Sequence, residues 1–173
     1  MDLVRVGSTP TRGTLFNIED VMATQDELTT LVKAMPFFQP VTSECPDCAQ
    51  NLVAALEKRT YPGGTVVERE GMLCDGVYVV YQGHAKEVVR SLKSGGEVIV
   101  EVLNPSDTFG LVSVIDGLDC DTRLVTLDEC HFLWLSKEAF ADVLQHHSQV
   151  HRLVMDHLCF EIRQAHQWIA NLL

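Results

Sequence analysis

The sequence predicts an α+β domain in which an antiparallel β-roll lies between N-terminal helices and a long C-terminal helix. Near both ends of the chain, apolar residues recur at intervals of three or four, the spacing of a helix that buries one face. In the middle of the chain they alternate with a period of two, in short runs separated by Gly, Asp, Asn and Ser. Many short strands joined by close turns favour a roll, a sandwich or a small barrel.

The composition indicates one globular domain. The chain has 173 residues, of which 46% are hydrophobic and 21% are charged. Its apolar runs are too short to cross a bilayer and residues 1–14 lack the apolar core of a signal peptide, so we expect a cytoplasmic protein without membrane contact. The formal charge of −11 repels a phosphate backbone, so we expect that this chain alone binds no nucleic acid.

The first two segments of the chain are a predicted arm and a predicted set of helices. Residues 1–17 contain several Gly, Ser, Thr and Pro and predict a flexible arm. Residues 18–58 predict the N-terminal helices, which Pro36 and Pro40 interrupt. Asp47 is a candidate N-cap for the last of these helices.

The remaining two segments are the predicted β-roll, residues 59–140, and the predicted long helix, residues 141–173. A helix of about 24 residues would be roughly 36 Å long and would overhang a small roll. An overhanging helix with an apolar stripe usually needs a partner helix, so we expect a homodimer that pairs through it. The residues predicted for this contact share one stripe: Val150, Val154, Leu158, Ile162 and Ile169.

The six cysteines are widely spaced, which indicates reduced thiols more than a disulfide framework. Only Cys45 and Cys48 form a C-x-x-C pair, which would be structural, redox-active or half of a metal site. A zinc site needs a second pair of ligands, and none lies nearby in the sequence, so we predict no metal site. His147 and His151 are four residues apart, and we favour a solvated helical face over metal chelation for them.

Several ordered motifs resemble those of the cyclic nucleotide-binding domain, over residues 30–173. They are PFF at 36–38, the Y-P-G-G segment within 55–71, DGVYVVYQGHAKEV at 75–88 and NPSDTFG at 104–110. The resemblance implies a β-roll of the double-stranded β-helix or jelly-roll type that binds a small-molecule effector.

Within that superfamily the chain resembles the sensor domain of catabolite activator/FNR-type transcription regulators, because QWIANLL at 167–173 resembles the end of their long helix. The resemblance implies a regulatory effector-sensing function. DNA binding would require a further C-terminal helix-turn-helix domain. Whether the chain was cut before such a domain or never had one stays open.

In nucleotide-binding members of the family, the segment F-G-E, followed by R-[ST]-A, binds the cyclic phosphate and the ribose. Here Leu111 replaces the glutamate that holds the ribose, and a count from Gly110 sets Cys120 at the arginine that holds the phosphate. A cysteine supplies neither the charge nor the paired donors of arginine. Asp121 would also repel a phosphate. We therefore expect binding of cAMP and cGMP to be weak or lost.

Two other residues are candidates for contact with the effector. Arg123 is two residues after Asp121 and would share its face of a strand, which would restore a positive charge. The resemblance sets His166 where other members contact the ligand base from the dimer interface. The predicted effector pocket consists of cassette positions and this histidine: Phe109, Gly110, Leu111, Cys120, Asp121, Thr122, Arg123 and His166.

The sequence identifies neither a cofactor nor the effector. The spacing of Cys and His does not favour haem or an iron–sulfur cluster. An alternative parent protein is a channel, transporter or kinase that carries the same kind of regulatory domain. We predict no enzymatic activity, because the sequence contains no nucleophile with a base and no H-x-H metal pair; His84 and His131 lie on separate predicted strands.

Overall fold

A computed structural model describes residues 18–44, 46–91 and 95–172, so the predicted arm over residues 1–17 lies outside the described residues. Three helices lead into the strands, with a 3-10 turn at Pro36–Phe38 after the first. None of the helices in the described ranges is long and apolar enough to cross a membrane. The helices before the strands are α1 (Ile18–Ala34), α2 (Gln39–Glu44) and α3 (Pro46–Ala55).

Eight strands follow, with one short helix between the sixth and the seventh and two helices after the last. The strands are β1 (Leu56–Tyr61), β2 (Val66–Glu68), β3 (Gly76–Gln82), β4 (Ala85–Arg90), β5 (Glu97–Leu103), β6 (Thr108–Phe109), β7 (Arg123–Thr126) and β8 (Cys130–Ser136). The later helices are α4 (Leu111–Asp116), α5 (Lys137–His146) and α6 (Ser148–Leu172).

The strands form two four-stranded antiparallel sheets, in the orders β1-β8-β3-β6 and β2-β7-β4-β5. This arrangement confirms the predicted β-roll with flanking helices. The core lies inside the roll and under the N-terminal helices, which is why β3 and β8 are buried along most of their length instead of alternating. The largest fully buried side chains include Tyr78, Phe38, Phe132 and Phe140.

The bounds of the segments differ from those predicted. The roll begins at Leu56, because β1 pairs with β8 along its whole length, and it ends at Ser136. Ser136 then caps α5, since its side chain accepts a hydrogen bond from the backbone N–H of Ala139 at 3.2 Å. The C-terminal segment is two helices, because His147 is extended, with φ −129° and ψ 92°.

The first part of α6 packs on its own chain. Val150 and Val154 are almost fully buried, and α6 contacts α2, α5 and the 3-10 turn. Leu158 is partly buried against the same core. The prediction that Val150 and Val154 face a second subunit is therefore wrong, because the N-terminal helices already cover them. The second half of α6 extends away from this core, and its large apolar side chains are exposed.

Candidate ligand-binding site

A cavity of about 780 Å³ lies between the roll and the second half of α6. Its volume falls in the range of roughly 300–1,000 Å³ that is typical of small-molecule sites. Its walls come from β4 and β5, from the segment around α4, from the turn before β7 and from α6. The residues that line it are Glu87, Val98, Ile99, Val100, Glu101, Val102, Thr108, Phe109, Gly110, Leu111, Val112, Ser113, Asp121, Thr122, His157, Phe160, Glu161, Ile162, Gln164, Ala165, Trp168 and Ile169.

Gly110 sets the geometry of the cassette wall, since it precedes α4 in the left-handed region at φ +89°. A Cβ at Gly110 would lie 2.7 Å from the Gly76 oxygen and 2.9 Å from the Cys74 Sγ. No L side chain fits this position without movement of the neighbouring backbone. The packing of β3 against this turn therefore requires glycine here.

Replacement of Gly110 by alanine is expected to lower the free energy of unfolding by about 2 to 4 kcal/mol, because crowding adds to the backbone strain. Gly117→Ala is the matched control at the other end of α4. Gly117 has φ +75°, but its Cβ would only touch the Lys137 Nζ at 3.5 Å. We expect a loss of about 1 kcal/mol there. Urea unfolding of both variants measures the difference, and equal losses would contradict this account of Gly110.

The structure brings five of the eight predicted pocket residues together at the cavity: Phe109, Gly110, Leu111, Asp121 and Thr122. Leu111 is buried at the start of α4 and contributes an apolar surface. The Thr122 hydroxyl donates a hydrogen bond to the Glu87 carboxylate at 3.3 Å.

Cys120, which the count from Gly110 sets at the arginine position, does not line the cavity, although it is one of the predicted pocket residues. Its side chain is buried beside Cys74, and the burial raises the pKa of the Cys120 thiol to about 12. Its backbone is fixed on both sides, since its N–H donates to the Met72 oxygen and its own oxygen accepts from Gly71, both at 2.8 Å. The next side chain, that of Asp121, therefore faces the cavity.

Arg123 and His166 are also absent from the cavity wall. Arg123 forms an ion pair with Glu97 at 2.5 Å, so its charge is directed elsewhere. Strand alternation does not relate Arg123 to Asp121, because Asp121 precedes β7, which begins at Arg123. His166 is exposed on α6, and its neighbour Ala165 lines the cavity instead.

Three carboxylates of the cavity, those of Glu87, Glu101 and Glu161, are not among the pocket residues predicted from the sequence. Glu87 on β4 and Glu101 on β5 are directly opposite each other in the antiparallel register. Asp121 and Glu161 add two more carboxylates to the wall. The sequence contains a signal for Glu87 and Glu101, because both are acidic residues within otherwise apolar strands. A register shift between Glu87 and Val88 breaks the simple alternation, so the sequence does not show which face of the sheet the Glu87 side chain lies on.

Burial and mutual repulsion raise the pKa of two of these carboxylates, Glu87 and Glu101. Burial, followed by the charges of Glu101 and Glu161, raises the pKa of Glu87 to about 7. The pKa of Glu101 is also raised, first by burial and then by the charge of Glu161. His157 forms a hydrogen-bonded ion pair with Glu161 at 3.0 Å, and this bond raises the pKa of the imidazole. The cavity is therefore a site where negative charge is poorly compensated.

The cavity also has one unsatisfied polar group and two aromatic groups. The Thr108 side chain is buried, and its Oγ1 has no hydrogen-bond partner among the described residues. A buried hydroxyl without a partner is costly, and a ligand in the cavity would supply one. Phe160 and Trp168 line the cavity from α6 and keep about half of their surface exposed.

The cysteine and histidine candidates for a metal lie apart from the cavity. Cys45 lies outside the described residues, and Cys48 is disulfide-bonded, which differs from the expectation of reduced thiols at this position. His147 is buried at the break before α6, whereas His151 is exposed. The described part of the chain contains no group of three or more His, Cys, Asp or Glu side chains that could hold a metal ion.

Two curated relatives indicate the breadth of the family. The chain is 25% identical over 130 residues to the potassium channel GORK of Arabidopsis thaliana, covering 75% of this chain and 15% of the channel. It is 23% identical over 128 residues to a CRP-like cAMP-activated global transcriptional regulator of Mycobacterium tuberculosis, covering 74% of this chain and 57% of the regulator. The chain thus spans less than two thirds of the length of each relative. Both are named as a channel or a regulator, not as an enzyme.

Solved structures show the same fold. The sensor domain of the transcriptional regulator DNR from Pseudomonas aeruginosa superposes with a TM-score of 0.69 at 21% identity, over 83% of this chain and 93% of that one. A regulatory subunit of a cAMP-independent protein kinase A from Trypanosoma cruzi, bound to guanosine, superposes with a TM-score of 0.64 at 15% identity, over 72% of this chain and 43% of that one.

The sequence profile of the cyclic nucleotide-binding domain matches residues 58–147, which contain all eight strands except the first two residues of β1, together with α4 and α5. The matched range also includes the cassette wall of the cavity. This chain therefore belongs to the cyclic nucleotide-binding domain family.

Proposed function

We propose that this chain is the effector-sensing regulatory domain of a catabolite activator/FNR-type transcription regulator, and that its effector is not cAMP or cGMP. The observation that carries the proposal is the cavity between the cassette and α6, in which Asp121 faces the ligand space. A cyclic phosphate would meet this carboxylate next to Cys120, which stands at the arginine position that the resemblance implies, and no arginine among the described residues lines the cavity. The guanosine bound to the Trypanosoma cruzi neighbour supports a phosphate-free effector in this fold.

Effector binding would act through α6, because this helix forms one wall of the cavity. A ligand that contacts Glu161 and Trp168 in one position of the helix and not in another shifts the balance between the two positions. The change in α6 would then reach whatever follows the helix. In a transcription regulator this would be a DNA-binding domain beyond the chain, which agrees with the acidic charge of −11 on the sensor domain itself.

The proposed partner is a second copy of the chain. Met155, Ile162 and Ile169 are spaced by seven residues, and each is more than half exposed, at 57%, 56% and 55%. We call these three residues the exposed α6 stripe. Seven-residue spacing of apolar side chains is the pattern of paired helices, so a parallel pair of α6 helices would cover the stripe.

Sedimentation velocity at micromolar concentration tests this part of the proposal. We expect the unmodified chain to sediment as a dimer and Ile162→Glu to sediment as a monomer, because a charge in the middle of a helix pair is costly. Gln167→Glu is the matched control, since Gln167 is exposed and lies off the stripe. A monomeric unmodified protein would contradict a dimeric regulator.

A second candidate parent is a channel, since the chain resembles GORK over 130 residues. The domain would then transmit effector binding to a membrane pore. The flanking sequence of the complete gene product separates the two candidates: transmembrane segments favour the channel, and a helix-turn-helix favours the transcription regulator.

A further inference from the structure

We infer that the cavity selects an organic cation, a protonated amine carried on an aromatic or apolar body. The inference rests on the proposed function, because it names the chemical class of the effector for the same cavity. A cationic ligand has the opposite charge to the cyclic nucleotide that the family name implies.

The charge of the cavity wall is the first support. Four carboxylates from four parts of the fold line it: Glu87, Glu101, Asp121 and Glu161. Among the described residues of the wall there is no Lys or Arg, and His157 is the only basic side chain. An anion would enter this space against repulsion, whereas a cation would be attracted from all four sides.

The pairing of Glu87 and Glu101 is the second support. Two like charges directly opposite each other on neighbouring strands destabilise a sheet. Among the described residues, neither carboxylate forms an ion pair with Lys or Arg, and the hydrogen bond to Glu87 comes from the neutral Thr122. A protonated amine between the two strands would relieve this repulsion with charge-assisted hydrogen bonds.

Thr108 is an independent indication that a ligand belongs in the cavity. Its buried Oγ1 lacks a hydrogen-bond partner among the described residues, although the side chain forms part of the wall. An ammonium group can donate to this oxygen. Nothing about the acidic groups explains this orphaned hydroxyl, so it points to an occupant separately from the charge.

The remaining wall indicates the body of the ligand. Val98, Ile99, Val100 and Val102 line the cavity from β5, and all four are more than 40% exposed. Phe160 and Trp168 add aromatic faces, which attract cations and stack on rings. A bare metal ion would use none of this surface, and the described residues offer no group of three ligands for one.

The affinity for an amine should rise between pH 6 and pH 8. Glu87 loses its proton in this range, and the charged form is the one that attracts a cation. The groups that face it are Glu101 from β5, Asp121 from the turn before β7, and Glu161 with its partner His157 from α6. The hydrogen bond to Glu161 raises the pKa of His157, and loss of the imidazole proton as the pH rises also makes the cavity more negative, so both changes act in the same direction.

Calorimetric titration with three indoles of matched size tests the inference: tryptamine, which is cationic, tryptophol, which is neutral, and indole-3-propionate, which is anionic. At pH 8 we expect tryptamine to bind at least tenfold more tightly than tryptophol, and indole-3-propionate to bind not at all. Glu87→Gln should weaken tryptamine about tenfold and leave tryptophol unchanged. Glu70→Gln, an exposed residue away from the cavity, is the control with the same change in net charge and should have no effect.

Equal affinity for the three indoles, or a preference for the anion, would overturn the inference. So would tighter binding of guanosine or Ca²⁺ than of tryptamine. A different result would contradict the proposed function. If the protein sediments as a monomer and still binds tryptamine, the dimeric regulator is contradicted and the cation site is supported. A dimer that does not bind tryptamine contradicts the cation site alone.

Discussion

The double variant Leu111→Glu, Asp121→Arg is expected to bind cAMP at least 100-fold more tightly than the unmodified chain. It replaces Leu111 by the glutamate that the family resemblance implies, and it sets an arginine at Asp121, the cavity-facing position next to Cys120. One charge-assisted hydrogen bond contributes about 1.5 to 3 kcal/mol, and a tenfold change in affinity corresponds to about 1.4 kcal/mol. Two such hydrogen bonds therefore suffice for an increase in affinity of about 100-fold. Calorimetric titration of both proteins with cAMP measures the change.

The control is Leu111→Glu, Cys120→Arg, which adds the same two side chain types but sets the arginine one residue earlier. Because Cys120 is buried beside Cys74, we expect this variant to lose stability and to gain no affinity for cAMP. Circular dichroism shows whether each variant is folded before it is titrated. A gain with Cys120→Arg and none with Asp121→Arg would show that position 120, and not position 121, faces the phosphate. Micromolar cAMP binding by the unmodified chain would overturn the proposed loss of nucleotide binding.

Replacement of Glu87 by glutamine is expected to stabilise the protein, and to do so more at pH 8 than at pH 5. The pKa of Glu87 is raised from 4.5 to about 7 in the folded protein, first by burial and then by Glu101. Between these two values the folded state binds more protons than the unfolded state, so stability falls as the pH rises and levels off above about pH 7. Because glutamine is neutral at every pH, the variant does not lose stability in this way as the pH rises. The gain at pH 8 should be up to about 3 kcal/mol, and near pH 5 it should be small.

Urea unfolding at pH 5, 6, 7 and 8 measures this dependence. The glutamine oxygen can still accept the hydrogen bond from Thr122, so the substitution removes charge with little change in shape. Glu70→Gln is again the control, and an exposed substitution of this kind should change stability by less than about 0.5 kcal/mol at every pH. A stabilisation by Glu87→Gln that is the same at pH 5 and pH 8 would contradict the buried, protonated carboxylate.

The fold could be predicted well because its signals are local. Glycines at turns, such as Gly64 and Gly83 at φ +80° and +82°, mark the ends of strands in a fixed order, and that order is what identifies the family. The period of two that predicts strands is visible in β7, where buried and partly buried residues alternate. These features depend on neighbours in the sequence, so the sequence alone contains them.

The site could be predicted only in part, because its details depend on contacts between distant segments. The bridge between Leu73 and Asp119 fixes the turn before β7, and with it the direction of Cys120 and Asp121. Counting along the chain does not reveal such a bridge. The opposition of Glu87 and Glu101 likewise depends on the strand register, which no single segment defines.

The break at His147 makes α6 a helix that is anchored at one end. Val150 and Val154 hold its start against the N-terminal helices, while Glu161 and Trp168 contact the cavity farther along. From Val154 to the last residue of α6 the helix extends roughly 27 Å at 1.5 Å per residue. A tilt of about 10° around the anchored start would displace the far end by roughly 5 Å over that length. In the proposed regulator, a small movement of this wall on effector binding would therefore change the position of a domain attached to the helix end by more than the width of a side chain.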